Sequence, residues 1–449
     1  MNKKAILMAS FLLVGSFSFA QKLSPSTSMM LHEARTAQKK AKAANATPQT
    51  VSAFITVKSQ DAIAKIEALG AKVNSRISET LVTADMPLSA IEPVSNLDEV
   101  VSVSVGTEAK LLMDNARKLL GVDECHQMTE NNGPYTGASS LSDTRIKRVW
   151  DQHGTGNAPE GFGYGAEYKT TAEIRAAKYD LTSGFHATHV SGIASGSDKS
   201  TPYYGVAPDA DLVFVSFKST NAQIVDGIKY VFDYAKSVGK PAVVNISLGS
   251  HMGPHDGSSD TDLSFANLVG PGRIIVGAAG NEGLDKLHAS KTFTATNKQM
   301  KTMFAYGSEQ DNSSYKQAYV DIWGEKNSKI SVKAVDVNTL NGKIIASSDE
   351  VSNDGTNEVN WVAPDGSGVV VQVGLSLQEN PVNGRTNVLL MSRATSINTG
   401  FAIGVVVTGE AGKTVHMWNN AASGEFTSFK KRGWTDGDSS TCLGVRLGS

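Results

Sequence analysis

The sequence predicts an α/β fold: a parallel sheet with helices on both faces, preceded by a small β-α-β-β-α-β unit and interrupted by an all-β segment. Three observations predict it. Between residues 211 and 279, apolar strand-like runs alternate with helical stripes, and strands joined by helices lie parallel through right-handed crossovers. Between residues 53 and 105, four short strands and two short helices follow the split β-α-β order. From 286 to 420, strand-like runs recur between turn signals, which reads as a sandwich or jelly roll.

The elements follow in chain order. Lys3 and Lys4 precede an apolar core at 5–13, and Ser18-Phe19-Ala20 supplies small residues at a cleavage point. Residues 1–20 are therefore expected to be a signal peptide, giving a secreted or periplasmic product. An uncleaved anchor is the rival, although the stretch is short for a bilayer span. Once the signal is removed, no membrane contact is expected. Residues 21–50 are rich in Ser, Thr, Ala and Lys and read as a linker. The unit at 51–110 has a strand at 53–57 and a helix at 61–69. Ala62, Ile63, Ile66 and Leu69 form that helix's apolar face, and Gly70 stops it. Strands at 71–77 and 80–86, a weak helix at 91–97 and a strand at 100–105 complete the unit.

Residues 111–285 carry the α/β part. A strand at 211–215 leads to a helix striped by Ile224, Ile228, Val231, Ala235 and Val238, which Gly239 and Pro241 end. A buried-type strand at 242–248, a short helix at 262–269 and an apolar strand at 273–279 follow. Residues 286–420 contain strands near 318–323, 330–337, 358–362, 369–375, 388–391, 401–408 and 414–418. Residues 421–449 are expected to return, truncated, to the α/β part. No internal repeat is present.

Composition sets limits on partners. A net charge of −2 and an isoelectric point near 6.5 argue against nucleic acid, which calls for a basic patch or stripe. The two cysteines, Cys125 and Cys442, would be free to pair after export, but their presence alone does not establish a bond. Oligomeric state is left open.

The strongest chemical signal is Gly184-Phe185-His186-Ala187-Thr188-His189-Val190-Ser191-Gly192-Ile193-Ala194-Ser195-Gly196. A histidine at the head of a helix of small residues suits a general base, because its pKa lies near neutrality. A metal pair made by His186 and His189 is the rival, with no third ligand nearby. Gly205-Val206-Ala207-Pro208 follows. Then comes Val244-Asn245-Ile246-Ser247-Leu248-Gly249, whose end, Ser247-Leu248-Gly249, has few bulky side chains and suits the addition of an extended peptide as a strand. Ile275-Val276-Gly277-Ala278-Ala279-Gly280-Asn281-Glu282-Gly283 puts Asn281 just beyond a strand end, where open α/β sheets place their sites. Taken alone, Asn281 also fits a plain turn.

In this order, the blocks resemble the subtilisin-like serine proteases. The resemblance implies His186 as catalytic base, Asn281 as oxyanion donor, and Ser247, Leu248 and Gly249 as the substrate-binding strand. It departs mildly at Ala187, where the family has Gly. It implies that the 51–110 unit is a propeptide that assists folding and blocks the cleft, and that 286–420 is a jelly-roll insertion. The expected partner is a polypeptide substrate or inhibitor in the cleft. No metal or other cofactor is called for, and calcium is left open.

The family orders its triad Asp, His, Ser, and two members are missing here. Only 138–143 separates Tyr135-Thr136-Gly137 from Thr144-Arg145-Ile146, where the family places an apolar strand ending in Asp. Asp143, Asp151 and Asp180 are the nearest substitutes and read as solvated loop carboxylates. No Gly-Thr-Ser occurs. The expectation is a serine endopeptidase by descent, inactive as this chain, with a broken gene and a true pseudoenzyme both left open. The rivals are a secreted peptide- or glycan-binding protein and an inhibitory or folding role for the 51–110 unit.

Overall fold

The computed structural model describes residues 22–40, 50–106, 110–111, 144–177, 186–197, 205–218, 220–280, 287–304, 316–338, 341–355, 357–362, 369–397, 401–419, 426–427 and 441–443. The expected signal segment 1–20 and Cys125 lie outside them. Among the described residues no helix is long and apolar enough to cross a membrane.

The N-terminal unit begins earlier than expected. Residues 21–50 read as a linker, yet helix α1 spans Pro25–Lys40. Leu23 forms a parallel bridge with Val103, and the Val105 amide donates to Thr27 Oγ1 at 2.9 Å. Met29 and Leu31 are buried. The segment looks unstructured because its apolar residues are few, and tertiary contact on two sides supplies the burial that its own composition does not.

Strands β1 (Thr50–Val57), β2 (Lys72–Ser78), β3 (Leu81–Pro87) and β4 (Val100–Val105) form an antiparallel sheet in the order β2-β3-β1-β4. β3 thus lies between β1 and β2, the two strands that helix α2 (Ala62–Ala68) links. Helix α3 (Leu88–Ser95) starts three residues before the expected position. Ile55, Ile66, Met86 and Ile91 fill the space between sheet and helices.

Beyond the two-residue strand β5 (Lys110–Leu111) comes the α/β part: β6 (Ile146–Asp151), β7 (Ala166–Tyr168), α4 (Thr171–Ala176), α5 (His186–Ser195), β8 (Leu212–Ser216), α6 (Asn221–Ser237), β9 (Ala242–Ile246), β10 (Leu248–Gly249), α7 (Asp260–Leu268) and β11 (Arg273–Gly277). The sequence predicts one parallel sheet, but among the described residues its strands form two pieces. One is β7-β6-β8, with β6 and β8 parallel; the other is the parallel pair β9 and β11. No ladder joins β8 to β9. Side chains alternate across a strand, so the pair β9/β11 has two unlike faces. Val244, Ile246 and Ile275 pack toward α6. Val243, Ile274 and Val276 point the other way and are 63%, 53% and 47% exposed.

Helix α6 is the bridge to the N-terminal unit. Its buried face comprises Ala222, Val225, Ile228 and Phe232, which share one cluster with Phe54, Ile77 and Leu81. The stripe expected from periodicity is therefore rotated, and Val238 is exposed. A helix covered on one side by α7 and on another by the β1–β3 sheet buries more than one narrow stripe.

The β unit is a sandwich of antiparallel sheets. One runs β18-β19-β20-β14-β22-β12-β24, and the other β16-β15-β21-β13-β23, with β17 on β15. In chain order these are β12 (His288–Thr292), β13 (Gln299–Phe304), β14 (Lys316–Lys326), β15 (Ile330–Asn338), β16 (Ile344–Ser347), β17 (Val351–Ser352), β18 (Glu358–Val362), β19 (Val369–Glu379), β20 (Arg385–Ile397), β21 (Phe401–Gly409), β22 (Thr414–Asn419), β23 (Phe426–Thr427) and β24 (Thr441–Leu443). Phe304, Val320, Ile322, Val332, Leu390, Ile403 and Val405 form the core between the sheets. Residues 421–449 were expected to rejoin the α/β part. Instead β23 pairs with β13 and β24 with β12, closing ladder edges that would otherwise be open.

Candidate active-site cleft

His186 is the first residue of α5 and is half-buried. Its Nε2 is buried without a hydrogen-bond partner among the described residues. The small residues of α5 satisfy their hydroxyls internally: Ser191 donates to the Ala187 carbonyl at 2.7 Å and Ser195 to the Ser191 carbonyl at 2.9 Å. The Gly205-Val206-Ala207 segment turns back on the helix end. Its amides donate to the carbonyls of Gly196, Ile193 and Ala194 at 2.8, 3.0 and 2.8 Å, which otherwise would lack partners. A Cβ at Gly205 would sit 2.3 Å from the Gly196 nitrogen, so this approach needs glycine. The two sequence blocks are thus one structural unit, tied further by Arg145 to the Ser195 carbonyl.

Ser247, Leu248 and Gly249 follow β9 at its carboxyl end, and Asn245 Nδ2 donates to Ser247 Oγ at 3.0 Å. Leu248 and Gly249 are not a free edge. They pair antiparallel with β5, Leu248 opposite Leu111 and Gly249 opposite Lys110. The stretch just after the N-terminal sheet therefore lies as an added strand on the segment the sequence assigns to substrate.

Beside this strand is a cavity of about 360 Å³ whose walls come from three regions. The N-terminal unit contributes Phe54 and Val105, α7 contributes Asp260 and Phe265, and the β unit contributes Asp321 and Trp323. Burial pushes the Asp260 carboxyl up to about 6. Burial also raises Asp321, against three donors: Trp323 Nε1 at 2.9 Å, the Gly253 amide at 2.7 Å and Asn387 Nδ2 at 2.7 Å. The β unit thus supplies one wall of this cavity. A signal was available: Asp321 interrupts the apolar run Val320-Asp321-Ile322-Trp323.

A third buried carboxylate lies where α6 meets the N-terminal sheet. Thr83 Oγ1 donates to Asp226 Oδ1 at 2.7 Å, and Tyr164 OH to Oδ2 at 3.0 Å. Burial outweighs these donors and pushes Asp226 up to about 7. Its position off the predicted apolar stripe of α6 gave the sequence reading no reason to single it out.

Asn281 lies outside the described residues, as do Asp143 and Asp180, so their relation to His186 is undescribed. Asp151 is corrected. It is not a solvated loop carboxylate but the buried last residue of β6, where Oδ1 accepts from the His153 amide at 3.0 Å. That bond fixes a turn. Among the described residues no group of three His, Cys, Asp or Glu side chains is placed to hold a metal.

Comparison with known proteins adds the family. The sequence profile of the subtilase family matches residues 164–421, more than half of the chain. The thermostable alkaline protease of Halalkalibacterium halodurans is 34% identical over 103 residues, which is 22% of this chain and 26% of that protein. The major intracellular serine protease of Bacillus subtilis is 34% identical over 104 residues, 22% of this chain and 30% of that protein. The chain thus spans less than a third of the length of either relative. The structure of the Clostridium perfringens CspB protease aligns with a TM-score of 0.49 and 19% identity, over 63% of this chain and 59% of that one. The profile match takes in the histidine helix, the Leu248–Gly249 strand and the strand before Asn281, and the chain belongs to the subtilase family.

Proposed function

We propose that this chain is a secreted subtilisin-like serine endopeptidase by descent, whose cleft binds extended polypeptide but does not hydrolyse it. The observation that carries this reading is the pairing of Lys110 and Leu111 with Leu248 and Gly249. A strand edge that accepts one extended segment through its backbone can accept another of similar shape. In this reading the unit at 51–110 is the propeptide and 110–111 its inhibitory tail. His186 is the inherited base, Asn281 the inherited oxyanion donor, and the β unit a jelly-roll insertion.

Inactivity follows from chemistry these 449 residues lack. A base needs an acid to orient it and a nucleophile to deprotonate. His186 Nε2, the ring nitrogen that would face a nucleophile, has no hydrogen-bond partner among the described residues. The split between β8 and β9 supports the same reading, because the family's Asp-bearing strand is the one the sequence omits. The test is turnover of a fluorogenic casein and of a peptide library by the purified full chain. The expected rate equals that of His186→Ala. Hydrolysis that His186→Ala abolishes would refute the inactivity.

A further inference from the structure

We infer that strands β18, β19 and β20 of the β unit are a docking platform for helix α1, holding the N-terminal unit in place independently of the cleft. This rests on the reading above, in which 51–110 is a propeptide, and takes that unit to become a separate chain once the connection near 110–130 is cut.

Helix α1 lies between two surfaces. On one side it meets β4, where Leu31 joins the core of the N-terminal unit and Met30 packs against it. On the other it lies against β19 and β20 of the sandwich. The second contact is shaped for it. Gly374 leaves a flat spot on β19, and a Cβ there would come within 2.7 Å of Met29 Cε. Met29 itself is buried. One turn along, Asn360 Nδ2 donates to His32 Nε2 at 2.8 Å, and Glu358 Oε1 lies 3.6 Å from His32 Nδ1. Arg35 pairs with Glu92 on α3, so α1 is tied by polar side chains to both neighbours.

Met29 and His32 are three residues apart and therefore share a helix face. That face meets a sheet surface bearing one apolar hollow and, beside it, one donor and one carboxylate. The partner that fits is an amphipathic helix with a long flexible apolar side chain at one position and an imidazole one turn later. Residues 25–40 of this chain supply it. The β unit thus gains a role beyond walling the cavity. Two linked contacts on one partner also raise the effective concentration of each for the other, so removing the platform should speed release of the whole N-terminal unit.

The test uses the full chain with a recognition sequence for a site-specific protease placed within 112–143. After cleavage of the folded protein, release of the N-terminal fragment is followed by its dissociation rate from the immobilised remainder. The expected result is slow release, accelerated at least tenfold by Met29→Asp and by Gly374→Leu, and unchanged by Met29→Leu. Equal rates in the parent, Met29→Asp and Gly374→Leu would overturn the platform, as would immediate release from the parent. If a core variant fails to fold, a double-mutant cycle of His32→Ala and Glu358→Gln serves instead. Non-additive effects on the rate support the contact, and strictly additive ones overturn it. Gly249→Pro separates this inference from the cleft reading: it removes a strand amide at β10 and leaves α1 intact. Acceleration by Met29→Asp alone sustains the platform and sinks the cleft contact; acceleration by Gly249→Pro alone does the reverse.

Discussion

The strands of the N-terminal unit and those of the pair β9/β11 are built from similar apolar residues and are buried very differently. β1 and β3 are buried along most of their length, whereas β9 alternates half-buried and exposed positions and β11 is exposed at four of its five. Parallel strands read as continuous apolar runs because they are normally covered on both faces. Here α6 covers one face of β9/β11, and α5 does not cover the other, since Ile193 of α5 is itself exposed. Apolar composition therefore states what a strand needs, and the surrounding elements decide whether it is met.

The largest expected effect sharpens that contrast. Ile403→Ala in the closed core of the sandwich should cost about 2–5 kcal/mol, whereas Ile274→Ala on the open face should stay within about 0.5 kcal/mol of the parent. Urea denaturation of both variants checks this; equal losses would mean that the open face of β9/β11 is covered in solution.

The next effect concerns the junction of α6 with the N-terminal sheet. The Asp226 carboxyl is raised to about 7 from 3.8, so the folded junction holds a proton that the unfolded chain releases. The associated stability is complete below about pH 4, declines as pH rises, and is gone above about 7. The denaturation midpoint should fall across that window, and Asp226→Asn should flatten the fall. A parent profile that rises with pH would contradict the assignment.

His288 behaves oppositely. Burial and the neighbouring His416 and His255 depress it to about 4, and His288 Nε2 lies 3.0 Å from His416 Nδ1. The unfolded chain takes up a proton first, so the sandwich should lose stability as pH drops from about 6.5 to 4, by less than the Asp226 effect because His288 is partly exposed. A His288→Gln variant should reduce this acid sensitivity, as read by melting at pH 5 and pH 7.

A smaller effect lies at α4. Thr170 accepts from the Glu173 amide and Glu173 from the Thr170 amide, at 3.2 and 2.8 Å. Thr170→Ala should cost about 1 kcal/mol, visible as faster hydrogen exchange over 171–176. The smallest concerns association: Val243→Lys should leave stability unchanged and reduce aggregation, measured by light scattering, because it places charge on an exposed apolar strand.

Legibility followed the range of the forces involved. The four strands of the N-terminal unit, α6, and the blocks around His186 and Leu248 were readable because period, stop residues and motif spacing are local. Helix α1 was not, because Met29 finds its partner at Gly374 and His32 at Asn360, hundreds of residues away. β23 and β24 were misplaced for the same reason, since only the open edges of β13 and β12 decide where they pair. Asp151 was misjudged because its burial depends on the strands beside it.

By itself the sequence determined most of the local structures and which chemical groups sit at their ends, because backbone propensity and side-chain period act within a few turns. Only the tertiary structure decided that the parallel strands form two pieces, that 110–111 lies on Leu248–Gly249, and that a helix read as linker joins two units. Each of those outcomes depends on which surfaces meet, and surfaces brought together from distant parts of a chain leave no pattern in any one stretch of it.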